Sequence, residues 1–198
     1  IKMMLVTLQR GIEVREATWL RIDEDKRFWE IPDPKNKIFH RVALHRYAMD
    51  LINEAREYTA GSEYVFGIPS HHKITDAEKF GVMRHETLAD NIRPYTGAWG
   101  CEHFTPHDLR RTAATILAGV GVPRFFIKKA LNHADREGST SVYDRYAYDW
   151  EKERVAAVWE FVLDKILTVD DAGRVPSVLL VAVGSAVGLG AAGAGFGP

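Results

Sequence analysis

Apolar residues recur at helical spacing from the first positions of the chain. Ile1, Met4, Leu5 and Leu8 share one face, with Arg10 and Glu13 on the polar side, and the pattern predicts a helix over residues 1 to about 17. Three β-like runs follow: residues 18–22 (TWLRI), 27–31 (RFWEI) and 40–44 (HRVAL). The last two flank PDPKNKIF, whose Pro, Asp and Asn mark a hairpin turn carrying Lys35. From about His45 to Tyr58 the spacing is helical again, with Ala48, Leu51, Ile52 and Ala55 on one side, until TAGSE breaks it. EYVFGIP reads as a short extended piece. Residues 75–92 read as a helix weakened by Gly81, and RPYTGAWGCEHF reads as a loop.

The clearest start signal is TPHDLRRTAATIL at residues 105–117. Thr105 suits an N-cap, Pro106 the first helical position, and Asp108 completes a T-x-x-D box. This helix runs to about Ala118 and stops at Gly119, with Leu109, Ala113, Ile116 and Leu117 as its apolar face. After the turn GVGVP, Pro123 opens the helix PRFFIKKALNH. A polar loop, ADREGST, leads into SVYDRYAYDWEKERVAAVWEFVLDKIL. That last segment reads as helical, with Val155, Val158, Trp159, Val162, Leu163 and Ile166 as a stripe suited to packing inside its own domain. There is no internal repeat. The fold class expected is mainly α with a small antiparallel sheet (α+β).

Composition sharpens the picture further. The 198 residues suit one domain, or one domain plus a tail. Residues 175–198 carry no charge, and their length approaches the roughly 20 residues of a membrane span. Their many glycines, and the lack of an aromatic or basic belt, favour a flexible low-complexity tail over residues 168–198 instead. The net charge of −1 excludes a global basic field, so any nucleic-acid contact must rest on local clusters. Cys101 is the one cysteine, which excludes an intrachain disulfide and fits a reducing compartment. No signal peptide is visible, and helical spacing already runs at residue 1. A further N-terminal portion is therefore expected.

The candidate chemistry centres on His107 and Arg110, three residues apart and so on one helical face, with Arg111 pointing elsewhere. A helix start offers free N–H groups and a positive dipole end, both favourable to a phosphate. The planar fork of arginine can hold two phosphate oxygens at once. Alone, H-x-x-R fits a solvated helix start equally well. Arg124, Lys128 and Lys129 form a local basic patch; they, Arg111 and Arg145 suit either DNA backbone contacts or a solvated face. Trp19 and Trp159 read as core residues. His45, His71, His72, His85 and His103 read as surface, without metal-ligand spacing.

In this context the chain resembles the tyrosine recombinases, the phage-integrase family, and prophage-type integrases in particular. The helix opening HDLRRT stands intact at residues 107–112. A T-x-x-R-x-x-E element appears as Thr7, Arg10 and Glu13, and a hairpin lysine followed by H-x-V-x-L as Lys35 and His40. An L-[GN]-H element supplies His133, and SVYDRY supplies Tyr143. Order and spacing agree along residues 1 to about 167, which reads as a catalytic domain lacking the family's N-terminal DNA-binding domain.

The resemblance implies that Tyr143 attacks a DNA phosphodiester to form a 3′-phosphotyrosyl link. Arg10 and Arg110 would stabilise the charge on phosphorus, and Lys35 would protonate the leaving 5′-oxygen. His107 would assist proton transfer, and His133 would hydrogen-bond the phosphate. Glu13 would anchor Arg10, and His40 would support the hairpin. Tyr143 lies one residue further past His133 than is usual in the family, and Tyr146 is the fallback nucleophile. No metal or other cofactor is implied. The implied partners are double-stranded DNA and further copies of the chain in a tetramer, in the cytoplasm of a bacterial host, with no membrane. Three alternatives stay open: a catalytically inactive DNA-binding remnant, a type IB topoisomerase-like strand transferase, and a protein anchored through its tail.

Overall fold

The helix expected over residues 1–17 is two helices. In the computed structural model, which describes residues 1–32, 39–69, 80–92, 104–133 and 146–168, α1 spans Lys2–Thr7 and α2 spans Gly11–Arg15. Leu8 between them takes a left-handed conformation, φ 60°, which costs an L-residue roughly 1–2 kcal/mol. The burial of Leu8, 3% exposed, offsets that cost. Apolar periodicity runs straight through the break, so spacing alone does not reveal it.

A three-stranded antiparallel sheet follows in the order β1 (Ile22–Asp23), β2 (Phe28–Ile31), β3 (His40–Ala43). Trp29 pairs with Val42, and Ile31 with His40 at the mouth of the hairpin. The hairpin tip, including Lys35, lies outside the described residues. Most of the run TWLRI does not enter the sheet. Residues Trp19–Arg21 form a 3-10 turn, because the Trp19 indole donates to the Thr59 carbonyl (3.1 Å) and so turns inward.

Helix α3 (Arg46–Thr59) lies where its spacing predicts, with Ala48 and Ile52 fully buried. The region read as one helix over 75–92 divides. Phe80–Gly81 is strand β5, paired with β4 (Ile68–Pro69), and only α4 (His85–Ile92) is helical; residues 75–79 lie outside the described residues. The β4 ladder gives the Gly81 backbone partners that a helix would supply at a propensity penalty. Helix α5 (Pro106–Gly119) starts as its box requires, the Asp108 carboxylate accepting from the Thr105 N–H (2.9 Å) and hydroxyl (2.7 Å). Those bonds hold the Asp108 carboxyl below its ordinary pKa.

Helix α6 (Arg124–Ala130) and the 19-residue α7 (Asp149–Leu167) complete the order. The last helix begins later than its polar lead-in suggests. Tyr146–Tyr148 are not helical, and Tyr148 sits at φ 57°, which interrupts helical winding before Asp149. Its apolar stripe packs inside the domain against β3, α6, α5 and α1. Trp159 is 1% exposed and donates its indole N–H to the Leu5 carbonyl (3.0 Å), whereas Ile166 falls outside the packed part. Among the described residues, no helix is long and apolar enough to cross a membrane. The glycine-rich stretch 175–198 lies outside them.

His45, expected at the surface, is buried, because its Nε2 donates to the Val6 carbonyl (2.7 Å) at the end of α1. His40 is buried as well, and burial pushes its pKa down to about 3; His45 is depressed by the same cause. A histidine depressed in the folded state contributes stability that is complete above its unfolded pKa of about 6.5. That stability is lost as pH falls toward the folded value. The urea midpoint is therefore expected to drop between pH 7 and pH 4, and His40→Gln, which has nothing to protonate, is expected to flatten that slope. Equal slopes in the two proteins would contradict this reading.

Candidate active site

The site is built where two helices end. At the C-terminus of α1 the carbonyls of Leu5, Val6, Thr7 and Leu8 point beyond the last helical turn, where a helix leaves its acceptors unpaired. Each is taken by a side chain from elsewhere: the Trp159 indole, His45 Nε2, Gln9 Nε2 (2.8 Å) and Arg110 Nη1, respectively. Helix α6 ends comparably. Asn132 adopts φ 47°, with its N–H on the Lys129 carbonyl (3.2 Å) and the His133 N–H on the Lys128 carbonyl (3.1 Å), which is a Schellman closure. The carbonyls left over are those of Ala130, Leu131 and Asn132. They accept from Gln9 Nε2 (3.0 Å), Arg110 Nη2 and Arg10 Nη2 (3.5 Å).

Arg110 therefore bridges the ends of both helices. It is 3% exposed. Burying a guanidinium without compensation is costly, and here two helix C-termini, each with a partial negative charge, supply the compensation. Burial first, and the neighbouring Arg10 second, push its pKa down to about 10, with Glu13 opposing; the group stays charged at neutral pH. Arg10 is more open, its side chain 41% exposed. The Glu13 carboxylate takes its guanidinium (2.7 Å) and its backbone N–H (2.7 Å) together. One acidic side chain thus fixes both the direction of Arg10 and the start of α2.

Arg10, His107 and Arg110 line a single cleft of about 320 Å³ between α1–α2, α4 and the start of α5. Gly11 allows α4 to approach, since a Cβ there would stand 2.9 Å from Leu88 Cδ1. His107 occupies the second position of α5 and is exposed. His133 follows the α6 closure, also exposed. Its pKa is lowered by partial burial and then by Arg110, Arg10, Lys128 and His107, so the charges of all three cleft residues reach it. Four of the six residues singled out by sequence thus share one neighbourhood. Lys35, Tyr143 and Arg145 lie outside the described residues.

Of the basic residues read as DNA contacts, Arg111 is exposed and pairs with Asp108 (3.2 Å), and Arg124 is exposed. Lys128 is half-buried. Lys129 is too, its ammonium 3.7 Å from the centre of the Tyr148 ring. Tyr146 is exposed and packs edge-on to Tyr148.

Two residues that sequence reading passed over contribute. Gln9 is 1% exposed; its signal was an uncharged polar side chain beside the apolar stripe. Lys152 is buried, its ammonium on the Ala147 carbonyl (2.7 Å) and its pKa pushed down to about 8 by burial. It ties the start of α7 to Ala147, which stands between Tyr146 and Tyr148.

The left-handed turn at Asn132 suits asparagine or glycine, the residues that best tolerate positive φ. Asn132→Gly is expected to leave the urea midpoint nearly unchanged. Asn132→Val is expected to lose roughly 1–2 kcal/mol, and equal midpoints for the two variants would contradict the argument.

The sequence model of the phage integrase family matches residues 1–149. The chain is 29% identical over 157 residues to the prophage integrase IntA of Escherichia coli (strain K12), covering 78% of this chain and 35% of that protein. It is 28% identical over 177 residues to the integrase of Enterobacteria phage P4, covering 80% and 38%. The chain thus spans little more than a third of these relatives. Among solved structures it is similar in fold to the XerA recombinase, with a TM-score of 0.52 and 19% identity over 72% of this chain and 55% of that one. With three quarters of its length matched, and with the helical fold and small antiparallel sheet in place, the chain belongs to the phage integrase family.

Proposed function

We propose that this chain is the catalytic part, residues 1–167, of a site-specific DNA recombinase. It breaks and rejoins DNA through a 3′-phosphotyrosyl intermediate, in the integration or excision of a prophage or other mobile element in a bacterial cytoplasm. The observation that carries this reading is the convergence of Arg10, His107 and Arg110 on one cleft, with His133 next in the chain to Asn132, whose carbonyl accepts from Arg10.

In this reading the cleft holds one phosphodiester of a duplex. Arg10 and Arg110 hold the nonbridging oxygens, which gain charge as phosphorus becomes five-coordinate, and a prearranged donor there costs no reorganisation during the reaction. The phenol oxygen of Tyr143 attacks phosphorus and the bond to the 5′-oxygen breaks. His107 receives the phenol proton, Lys35 delivers one to the departing oxygen, and His133 hydrogen-bonds the phosphate. A free tyrosine titrates near 10, so two guanidiniums beside the phosphate favour its ionised form. The ester energy is kept in the protein–DNA bond, and attack by a 5′-hydroxyl, from the same or another duplex, reseals the strand. Glu13 keeps Arg10 aimed. Exchange between duplexes calls for several copies of the chain on DNA, as a tetramer.

The test needs no knowledge of the target sequence. A pool of duplexes nicked within a randomised segment is expected to yield an adduct that survives SDS. Tyr143→Phe is expected to abolish it while a mobility shift remains. An adduct lost in Tyr146→Phe and kept in Tyr143→Phe would move the nucleophile to Tyr146. A shift with no adduct from the unaltered chain would make it a DNA-binding remnant, and plasmid relaxation without exchange would make it a topoisomerase-like strand transferase. Binding through phosphates releases counterions, so affinity for duplex is expected to fall about ten-fold or more between 50 and 200 mM salt. An unchanged affinity would contradict a phosphate-driven mode.

A further inference from the structure

We infer that Gln9 and His40 form a positioning pair that sets the arginine cradle for the reaction, an inference that rests on the recombinase reading above. The Gln9 amide is 1% exposed and uses both of its ends. Its nitrogen donates to the Thr7 carbonyl (2.8 Å) and the Ala130 carbonyl (3.0 Å), and its oxygen faces His40 Nε2 at 3.2 Å. The oxygen is only an acceptor, so the imidazole carries its proton on Nε2 and donates. One amide and one imidazole therefore bind three separate stretches of chain.

Each of those stretches carries part of the cradle. Thr7 precedes Leu8, whose carbonyl holds Arg110. Gln9 precedes Arg10. Ala130 precedes Leu131 and Asn132, whose carbonyls hold Arg110 and Arg10, and these lead directly to His133. His40 is the first residue of β3, in the pair nearest the hairpin turn, the element to which the proposed acid Lys35 belongs in sequence. If the end of α6 slid relative to the end of α1, the two guanidiniums would separate. Beside Arg110 itself, the uncharged Gln9–His40 pair is a buried side-chain contact that opposes this slide.

The chemistry of the pair suits that task. A neutral amide and a neutral imidazole add no charge beside two guanidiniums, whereas a carboxylate in place of Gln9 would compete with Glu13 for Arg10. Burial, with Lys152, Arg110 and Arg10 adding to it, keeps the ring neutral. The donor–acceptor sense of the network is therefore constant across the working pH range.

The pair is tested with Gln9→Met, His40→Leu and the conservative His40→Gln, all in the full chain and well below their melting temperatures. Two readouts are taken. The first is the adduct rate at saturating nicked duplex, set against noncovalent affinity for the same duplex. Misplacing reacting groups by about 1 Å can cost up to a hundred-fold in rate. On that scale Gln9→Met and His40→Leu are expected to slow adduct formation by about ten-fold or more, with affinity nearly unchanged and with His40→Gln recovering most of the rate. The second readout is solvent exchange of the Arg110 Nε proton, followed by nitrogen-15 NMR without DNA. It is expected to accelerate in Gln9→Met and His40→Leu and to stay slow in His40→Gln.

Unchanged Arg110 exchange in Gln9→Met and His40→Leu overturns the positioning pair, whatever the protein does to DNA. An unchanged adduct rate in those variants overturns it equally. Accelerated exchange in a protein whose unaltered form makes no adduct leaves the pair in place as the organiser of the cradle and removes the recombinase reading instead.

Discussion

Two helix C-termini point unpaired carbonyls at one buried guanidinium, and the arrangement of the site depends on that contact. Arg110 is nearly inaccessible, yet no carboxylate bonds it directly among the described residues. Its partners are the Leu8 and Leu131 carbonyls, at the negative ends of α1 and α6. A carboxylate there would neutralise the guanidinium charge. Backbone carbonyls fix the group in place and leave its formal charge available. The cost of burial shows in the depressed pKa, which still leaves the group ionised at neutrality.

Both helices reach this point by ending in a left-handed residue. Leu8 and Asn132 each turn the chain so that the next segment can carry a site residue, Arg10 in one case and His133 in the other. The backbone strain at Leu8 is therefore part of how the site is built, and buried contacts on all sides hold it. Around this junction the core supplies rigidity. Trp159 and His45 close the remaining carbonyls of α1, so a single helix end is tied to α7, to the start of α3 and to α5. A chain with a net charge of −1 can thus bring two guanidiniums to one cleft, because folding and not composition gathers them.

Much of the architecture was legible in residue pattern. The box at Thr105–Asp108, the β-like runs of β2 and β3 on either side of a turn, and the stripe of α7 each state their element through local chemistry. The failures are instructive in the same terms. Residues 1–17 look continuous because their apolar period does not change where α1 ends. Phe80–Gly81 leaves the helical reading because a distant strand offers it a ladder. His45 resembles a surface histidine until the carbonyl that it serves, 39 residues earlier, is placed beside it.

For the site itself, the sequence by itself determined the residue types and their order: Thr7, Arg10 and Glu13, then His107 and Arg110, then His133. Short spacings such as H-x-x-R and R-x-x-E follow from a helical turn and need no partner. Only the tertiary structure decided that Arg10, His107 and Arg110 open into one cleft, that Gln9 joins β3 to α6, and that main-chain carbonyls are what hold Arg110. Those facts rest on contacts between residues about a hundred positions apart, such as Arg110 with Leu8 and Gln9 with Ala130. Every residue carries a carbonyl, so the acceptors that decide the geometry leave no mark in the sequence.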